Sequence, residues 1–184
     1  MLQTNKMEAS IAAPYSYKPT EERILSVYPT TKGFAFLVIE SDLNIVNWGS
    51  ICYKSEKALE KKFLFLLDRF FIERVVCEKF TASPQRKFRA INRVMTFKSL
   101  AQQRKLSIQT VGKQDVDLVF GESGAYTKDS RAVVVASILK PLQNLLPPKR
   151  KLWETDHHRM PIFCCAVLVL SYLHLNSQST TIEF

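Results

Sequence analysis

Three short apolar segments stand back to back at residues 24–27, 33–39 and 44–53, and this run constrains the fold more than any other feature of the chain. Segments of this length, rich in Ile, Val, Phe and Trp and divided by turn residues, read as consecutive strands. Tyr28-Pro29 closes the first, and Thr30-Thr31-Lys32-Gly33 turns the chain into the second. The second, "GFAFLVI", is almost wholly apolar, and the polar "ESDLN" joins it to the third as a hairpin. A tyrosine stands at the mouth of the first turn, at a strand end where functional groups often gather.

At Ser55 the hydrophobic period changes. Leu59, Phe63, Leu66, Leu67 and Phe70 recur at spacings of three and four, so a helix is expected with Ser55 as its N-cap. "RVVCEKF" then reads as a short buried strand ending in Glu78. Pro84 is placed to open a helix to about Lys105, and "KLSIQTV" is a fifth strand. "KQDVDLVFG" is a short helix, and a Gly-bearing loop leads to a further helix capped near Thr127 and running through "ILKPLQNLL". The last helix is expected from Asp156 or His157 to about His174, capped by Thr155 or Asp156. Three hairpin-linked strands followed by alternating helix and strand predict an α/β fold: a mixed five-stranded sheet, antiparallel first and then extended by parallel strands, with helices on both faces. Residues 1–22 read as a loose lead-in, 23–176 as one domain and 177–184 as a tail.

Charge adds the next constraint. The chain has 26 Lys and Arg against 17 Asp and Glu, a net charge of +9. No acid lies between Glu78 and Asp115, where Lys79, Arg86, Lys87, Arg89, Arg93, Lys98, Arg104, Lys105 and Lys113 fall; the remaining 17 basic residues balance the acids. The excess charge is therefore local, which points to phosphate backbones or another acidic surface. On a helical wheel Arg86, Arg89, Arg93 and Arg104 form one stripe, with Phe88 and Met95 opposite. A solvated helix face that served nothing else would mix its signs.

Cys52, Cys77, Cys164 and Cys165 form no C-x-x-C pair and lie in apolar runs, so buried free thiols in a reducing compartment are expected. The first residues contain no continuous apolar stretch of the secretory kind. The apolar run at 160–173 is short for a bilayer and carries Cys-Cys and Ser171, which suits a buried core helix. A cytoplasmic protein without a membrane span is the expectation.

The element order and the strand-end residues together resemble the RNase H-like fold, and within it the RuvC-type Holliday junction resolvases, over about residues 23–175. The residues that carry the resemblance are "SVYPTTKGFAF", the glycine of "NIVNWGSI", Glu78 in "VVCEKF", "GESGAYTKDS" with Gly121, Gly124, Ala125 and Lys128, and "HRMPIFCCAVLVLSYLH". The resemblance implies a dimer acting on branched DNA and a carboxylate cluster holding Mg²⁺ or Mn²⁺. In that cluster the first strand and the last helix each supply an aspartate and the fourth strand a glutamate. Here Tyr28 and Pro161 fall on the two aspartate positions, leaving Glu78 and His158, with Asp156 and Glu154 as further candidate ligands. A phenol, with an ordinary pKa of about 10, is a poor substitute for a bridging carboxylate, and a proline side chain is none.

Plainer readings stand beside these. Glu78 is also accounted for as a strand-end carboxylate beside Lys79 or Lys32, Asp156 as a helix cap, and His157-His158 as solvent-facing polar residues. Three functions therefore follow. The first is a catalytically degenerate nucleic-acid-binding protein, a subunit that positions DNA rather than RNA through Arg86, Lys87, Arg89, Arg93, Arg104, Lys113 and Lys128. The second is an active metal-dependent endonuclease using Glu78, Asp156 and His158 as catalytic and metal-binding residues. The third is a protein-interaction module whose basic face meets an acidic partner.

Overall fold

The computed structural model describes residues 21–80, 88–149 and 156–179 of the chain. β1 (Arg23–Pro29), β2 (Gly33–Glu40) and β3 (Ile45–Cys52) form an antiparallel meander. Then come α1 (Glu56–Arg69), β4 (Arg74–Glu78), α2 (Phe88–Gln103) and β5 (Ser107–Val111), and finally α3 (Lys113–Gly121), α4 (Lys128–Ile138) and α5 (Met160–Ser179). β4 pairs in parallel with β1, and β5 in parallel with β4, so the five strands lie in the order β3-β2-β1-β4-β5. The expected mixed sheet is the one observed.

Each face of the sheet has its own core because side chains alternate along a strand. Leu25 and Val27 of β1 point to α1 and α2, joining Leu59, Phe63, Phe97 and Leu100. Phe97 stacks on Phe63 at 4.7 Å between ring centroids and meets Phe34 edge-on at 5.1 Å, contacts worth roughly 0.5–1.5 kcal/mol each beyond burial. Ile24, Ser26 and Tyr28 point the other way, toward α3, α4 and α5. β2 is buried from Gly33 to Ile39, as its unbroken apolar run requires. A side chain at Gly33 would run into the carbonyl oxygen of Ile51, so the close approach of β3 demands glycine there.

α5 lies directly over β1 and β2. It is long and apolar enough to cross a bilayer, but 61% of its Met160–Ser177 window is buried inside this domain. The hydroxyl of Ser26, fully buried, donates to the carbonyl oxygen of Cys165 at 2.8 Å and fixes helix against strand.

Local boundaries follow the chemistry with some corrections. Ser55 caps α1 by accepting from the Ala58 N–H, as expected. Thr127 caps α4 in the same way, accepting from Ser130 N–H at 3.1 Å. α4 ends at Ile138 rather than running on, because Pro141 has no N–H to continue the ladder; residues 140–145 form a 3₁₀ turn instead. α5 starts at Met160, later than the Asp156 or His157 expected, with Pro161 in its first turn where a missing N–H costs nothing. Phe88 and Met95 are 65% and 59% exposed, so they do not form the core side of α2; Val94, Phe97, Leu100 and Ala101 do. Arg93, of the arginine stripe, borders this buried face instead of opposing it. Cys77 and Cys165 are buried and Cys164 half-buried, all free, but Cys52 at the end of the edge strand is exposed rather than buried.

Candidate functional site

The chain leaves β1 toward β2 and β3 on one side, and later adds β4 and β5 on the other. The switch therefore falls between β1 and β4. The pairing of these strands stops at Val27 opposite Cys77, one residue before Tyr28 and Glu78. In open α/β sheets the crevice beyond the strands' carboxyl ends at such a switch is where ligands bind. Alternation puts Tyr28 on the same face as Ile24 and Ser26, and Glu78 on the same face as Val76. Val111, opposite Glu78 in the β4–β5 register, completes the row.

These residues open into a cavity of about 110 Å³ under α5. Its walls are apolar: Val111, Val116, Met160, Phe163, Val167 and Leu168. Its polar members are Tyr28, Glu78, Lys113, Lys128, Arg131 and Cys164. Gly124, in a left-handed conformation at φ 69°, bends the loop that leads into α4 and so delivers Lys128 and Arg131, one turn apart, to this edge. Arg131 donates from Nε to the carbonyl oxygen of Ala125 at 3.0 Å and pairs with Asp117. Lys128 Nζ lies 2.7 Å from the Asp156 carboxylate, in a pair that is about 40% exposed (45% and 38%).

The electrostatics keep the organic groups neutral. Burial, then the nearness of Cys164, Glu78 and Asp156, pushes the Tyr28 phenol far above its ordinary range. Burial pushes the Cys164 thiol up to about 11, against the opposing pull of Lys128. Cys164 and Tyr28 are near enough to act on each other's protonation. At Lys128, burial favours the neutral amine, but the Asp156 hydrogen bond and the neighbouring Cys164, Asp156 and Glu78 outweigh it and hold the ammonium pKa above its ordinary value. At neutral pH the cavity edge thus carries a phenol, a thiol, an ammonium ion and the Glu78 side chain.

Several residues singled out from the sequence meet here and others do not. Tyr28, Glu78, Lys113 and Lys128 line the cavity, and Asp156 reaches its edge through Lys128. Asp156 does not cap α5, which begins four residues later. His158 is exposed, its ring 4.1 Å from that of His157, and neither it nor Pro161 lines the cavity. The residue of α5 that faces Tyr28 is Cys164. On the opposite side of the sheet, Arg93 of α2 donates to the carbonyl oxygens of Thr30 and Thr31, and its guanidinium lies 5.2 Å from the Tyr53 ring centroid. Arg104 forms a two-pronged pair with Asp68 at 2.6 and 3.2 Å. Arg89 is exposed at a groove shared with Glu56. Arg86, Lys87 and Glu154 lie outside the described residues. Arg131 and Cys164 were not legible as site residues. Arg131 left only its spacing from Lys128 on a capped helix, and Cys164 left only its place in an apolar helix.

The fold invites a test for a pair of divalent ions. Such ions need several carboxylates converging on hard-oxygen coordination. Among the described residues no three His, Cys, Asp or Glu side chains form a group able to hold a metal ion. Glu78 and Asp156 are the carboxylates at hand, Asp156 already answers Lys128, and a neutral phenol and thiol stand beside them. This donor set does not fit a two-ion centre.

Comparison with known structures agrees with this architecture. The RuvC structure from Thermus thermophilus superimposes with a TM-score of 0.60 at 13% identity, over 84% of this chain and 96% of that one. The T. thermophilus RuvC solved in complex with Holliday junction substrate gives 0.59 at 12% identity, over 85% and 97%. A fowlpox virus resolvase with Holliday junction DNA gives 0.46 at 15% identity, over 84% and 98%. No family model matches the sequence, and no curated protein is significantly similar to it. The chain has an α/β fold of the RNase H-like type. More closely, its five-stranded arrangement is the one found in RuvC.

Proposed function

We propose that this chain binds branched DNA and does not cut it by the two-metal route. The observation that carries the reading is the makeup of the switch-point crevice, where Tyr28 and Cys164 are neutral and Lys128 brings a fixed positive charge. Lys113, Lys128 and Arg131 surround the crevice, and Lys79 packs beside Gly112 at the same edge. The likeness to a RuvC solved with Holliday junction substrate supports a branched duplex as the partner.

In this reading the lysines do what phosphate-binding lysines do generally: each ammonium replaces counterions condensed on the backbone, and their release drives binding. The Lys128–Asp156 pair does not prevent this. A pair exposed to this degree is worth about 0–1 kcal/mol, so a phosphate can compete with the carboxylate. The protein acts as a DNA-positioning subunit of a larger assembly or as a homodimer on a two-fold junction.

The test incubates the full chain with four-way, duplex and single-stranded DNA in Mg²⁺ and in Mn²⁺. Salt-sensitive binding to the junction with no strand cleavage is expected. Cleavage that disappears in Glu78→Gln would replace this reading with that of an active endonuclease. Absence of DNA binding, with capture of an acidic protein instead, would favour the interaction module. The double variant Tyr28→Asp/Cys164→Asp would add two carboxylates beside Glu78 in the crevice, where Pro161 does not reach, and it is expected to bind Mg²⁺ or Mn²⁺.

A further inference from the structure

The cavity walls have no role in binding a phosphate, and a lysine cluster alone would need no apolar hollow behind it. We propose that the cavity is a nucleotide pocket that takes the base of one unpaired pyrimidine, with the adjoining phosphate held by Lys113 and Lys128. The inference rests on the DNA-binding reading for the source of the nucleotide, though not for the chemistry of the pocket.

Size selects a single ring. An engineered apolar cavity of about 150 Å³ accepts benzene, and the volume here is about 110 Å³ with an open mouth. The hollow is smaller than that benchmark, so a six-membered base enters it only in part, with its polar edge left at the mouth, and a fused purine overfills it further. The walls suit a flat, weakly polar ring: Phe163 and Met160 on α5, with Val111 and Val116 across from them. Tyr28 and Glu78 would meet the base edge, and the lysines its phosphate. The Tyr28 phenol keeps its proton, so its hydroxyl can donate to or accept from a base edge, and the Glu78 carboxylate can accept from an exocyclic amine. Lys113 and Lys128 then supply the positive charge at the mouth, while Arg131 is committed to Asp117 and the Ala125 carbonyl oxygen and shapes the wall. Extruding a base costs a few kcal/mol from a duplex and least where the base is already unpaired, so branch points and bulges are the sites this pocket would select.

The test uses the full chain and places a fluorescent pyrimidine analogue at the branch of a four-way junction. Its emission, quenched by stacking in free DNA, is expected to change on binding, while the same analogue inside a paired arm stays unchanged. Replacing the branch pyrimidine by an abasic site is expected to weaken binding about tenfold, the loss of one base contact. That arm alters only the DNA and leaves protein folding untouched. The cavity-filling variant Val167→Phe, with its folding checked by circular dichroism, is expected to lose the branch signal. Junction binding with no branch signal and no abasic effect overturns the pocket and leaves DNA binding standing. If the junction does not bind at all, cytidine monophosphate titrated by NMR decides. Shifts at cavity residues would retain the pocket with a free nucleotide as its ligand, and their absence would overturn it.

Discussion

The two faces of this sheet carry cations to different ends. On the α1–α2 face, Arg93 holds the β1–β2 turn by its backbone carbonyls, and Arg104 pairs with Asp68. On the α5 face, Lys113 and Lys128 stand at the mouth of a cavity beside neutral Tyr28 and Cys164. The arginine stripe was the stronger signal in the sequence, yet two of its members serve the fold. A run of like charge shows that an excess exists; the packing decides which charges face outward. Arg93 borders the buried face of α2, close enough to the sheet for its fork to reach Thr30 and Thr31, and a helical wheel without the sheet could not show that.

Alkaline titration should give the largest effect, and it should reach both faces alike. Cys77 lies on the α2 face and Cys164 at the cavity, and burial pushes both up to about 11 from an ordinary value near 9. A thiol whose folded pKa is raised stabilises the fold fully below pH 9, and that contribution is lost as pH rises toward 11. Each should contribute on the order of 2 kcal/mol at neutral pH relative to alkaline solution. Urea melts from pH 8 to 11 should show stability falling. Cys164→Val and Cys77→Val should each remove one share of the slope, and equal slopes in both variants and the parent would break the comparison.

Arg93→Ala should follow in size. It removes charge-assisted bonds to two carbonyls and a ring contact, a loss of about 2 kcal/mol in thermal or denaturant unfolding. Its effect on DNA affinity should come only through that lost stability. Arg104→Ala should cost the least, under about 1 kcal/mol, because both partners of its ion pair are largely exposed. A larger loss there would mean that the α2 face depends on charge more than its packing suggests.

The fold was legible because its signals are local. The three apolar runs between Ile24 and Tyr53 with their turns, the helical period after Ser55, and the caps at Ser55 and Thr127 all sit within a few residues of what they determine. Glu78 at a strand end and Lys128 at a helix start were legible for the same reason. The partner of Tyr28 was not. Whether Pro161 or Cys164 meets it depends on where α5 begins and how it lies across β1, and the Ser26 hydroxyl bonded to the Cys165 carbonyl settles that through a contact 139 residues apart. Arg131 became part of the site only once Gly124 and Thr127 had aimed α4 at the strand ends.

The most direct measurement of the central claim is the salt dependence of four-way junction binding for the parent chain, for Lys113→Ala/Lys128→Ala and for Arg104→Ala. The account predicts a slope of log affinity against log salt that is shallower by about 2 in the double lysine variant and unchanged in Arg104→Ala. A parent slope near zero, or one that Arg104→Ala lowers and the lysine variant does not, would contradict it.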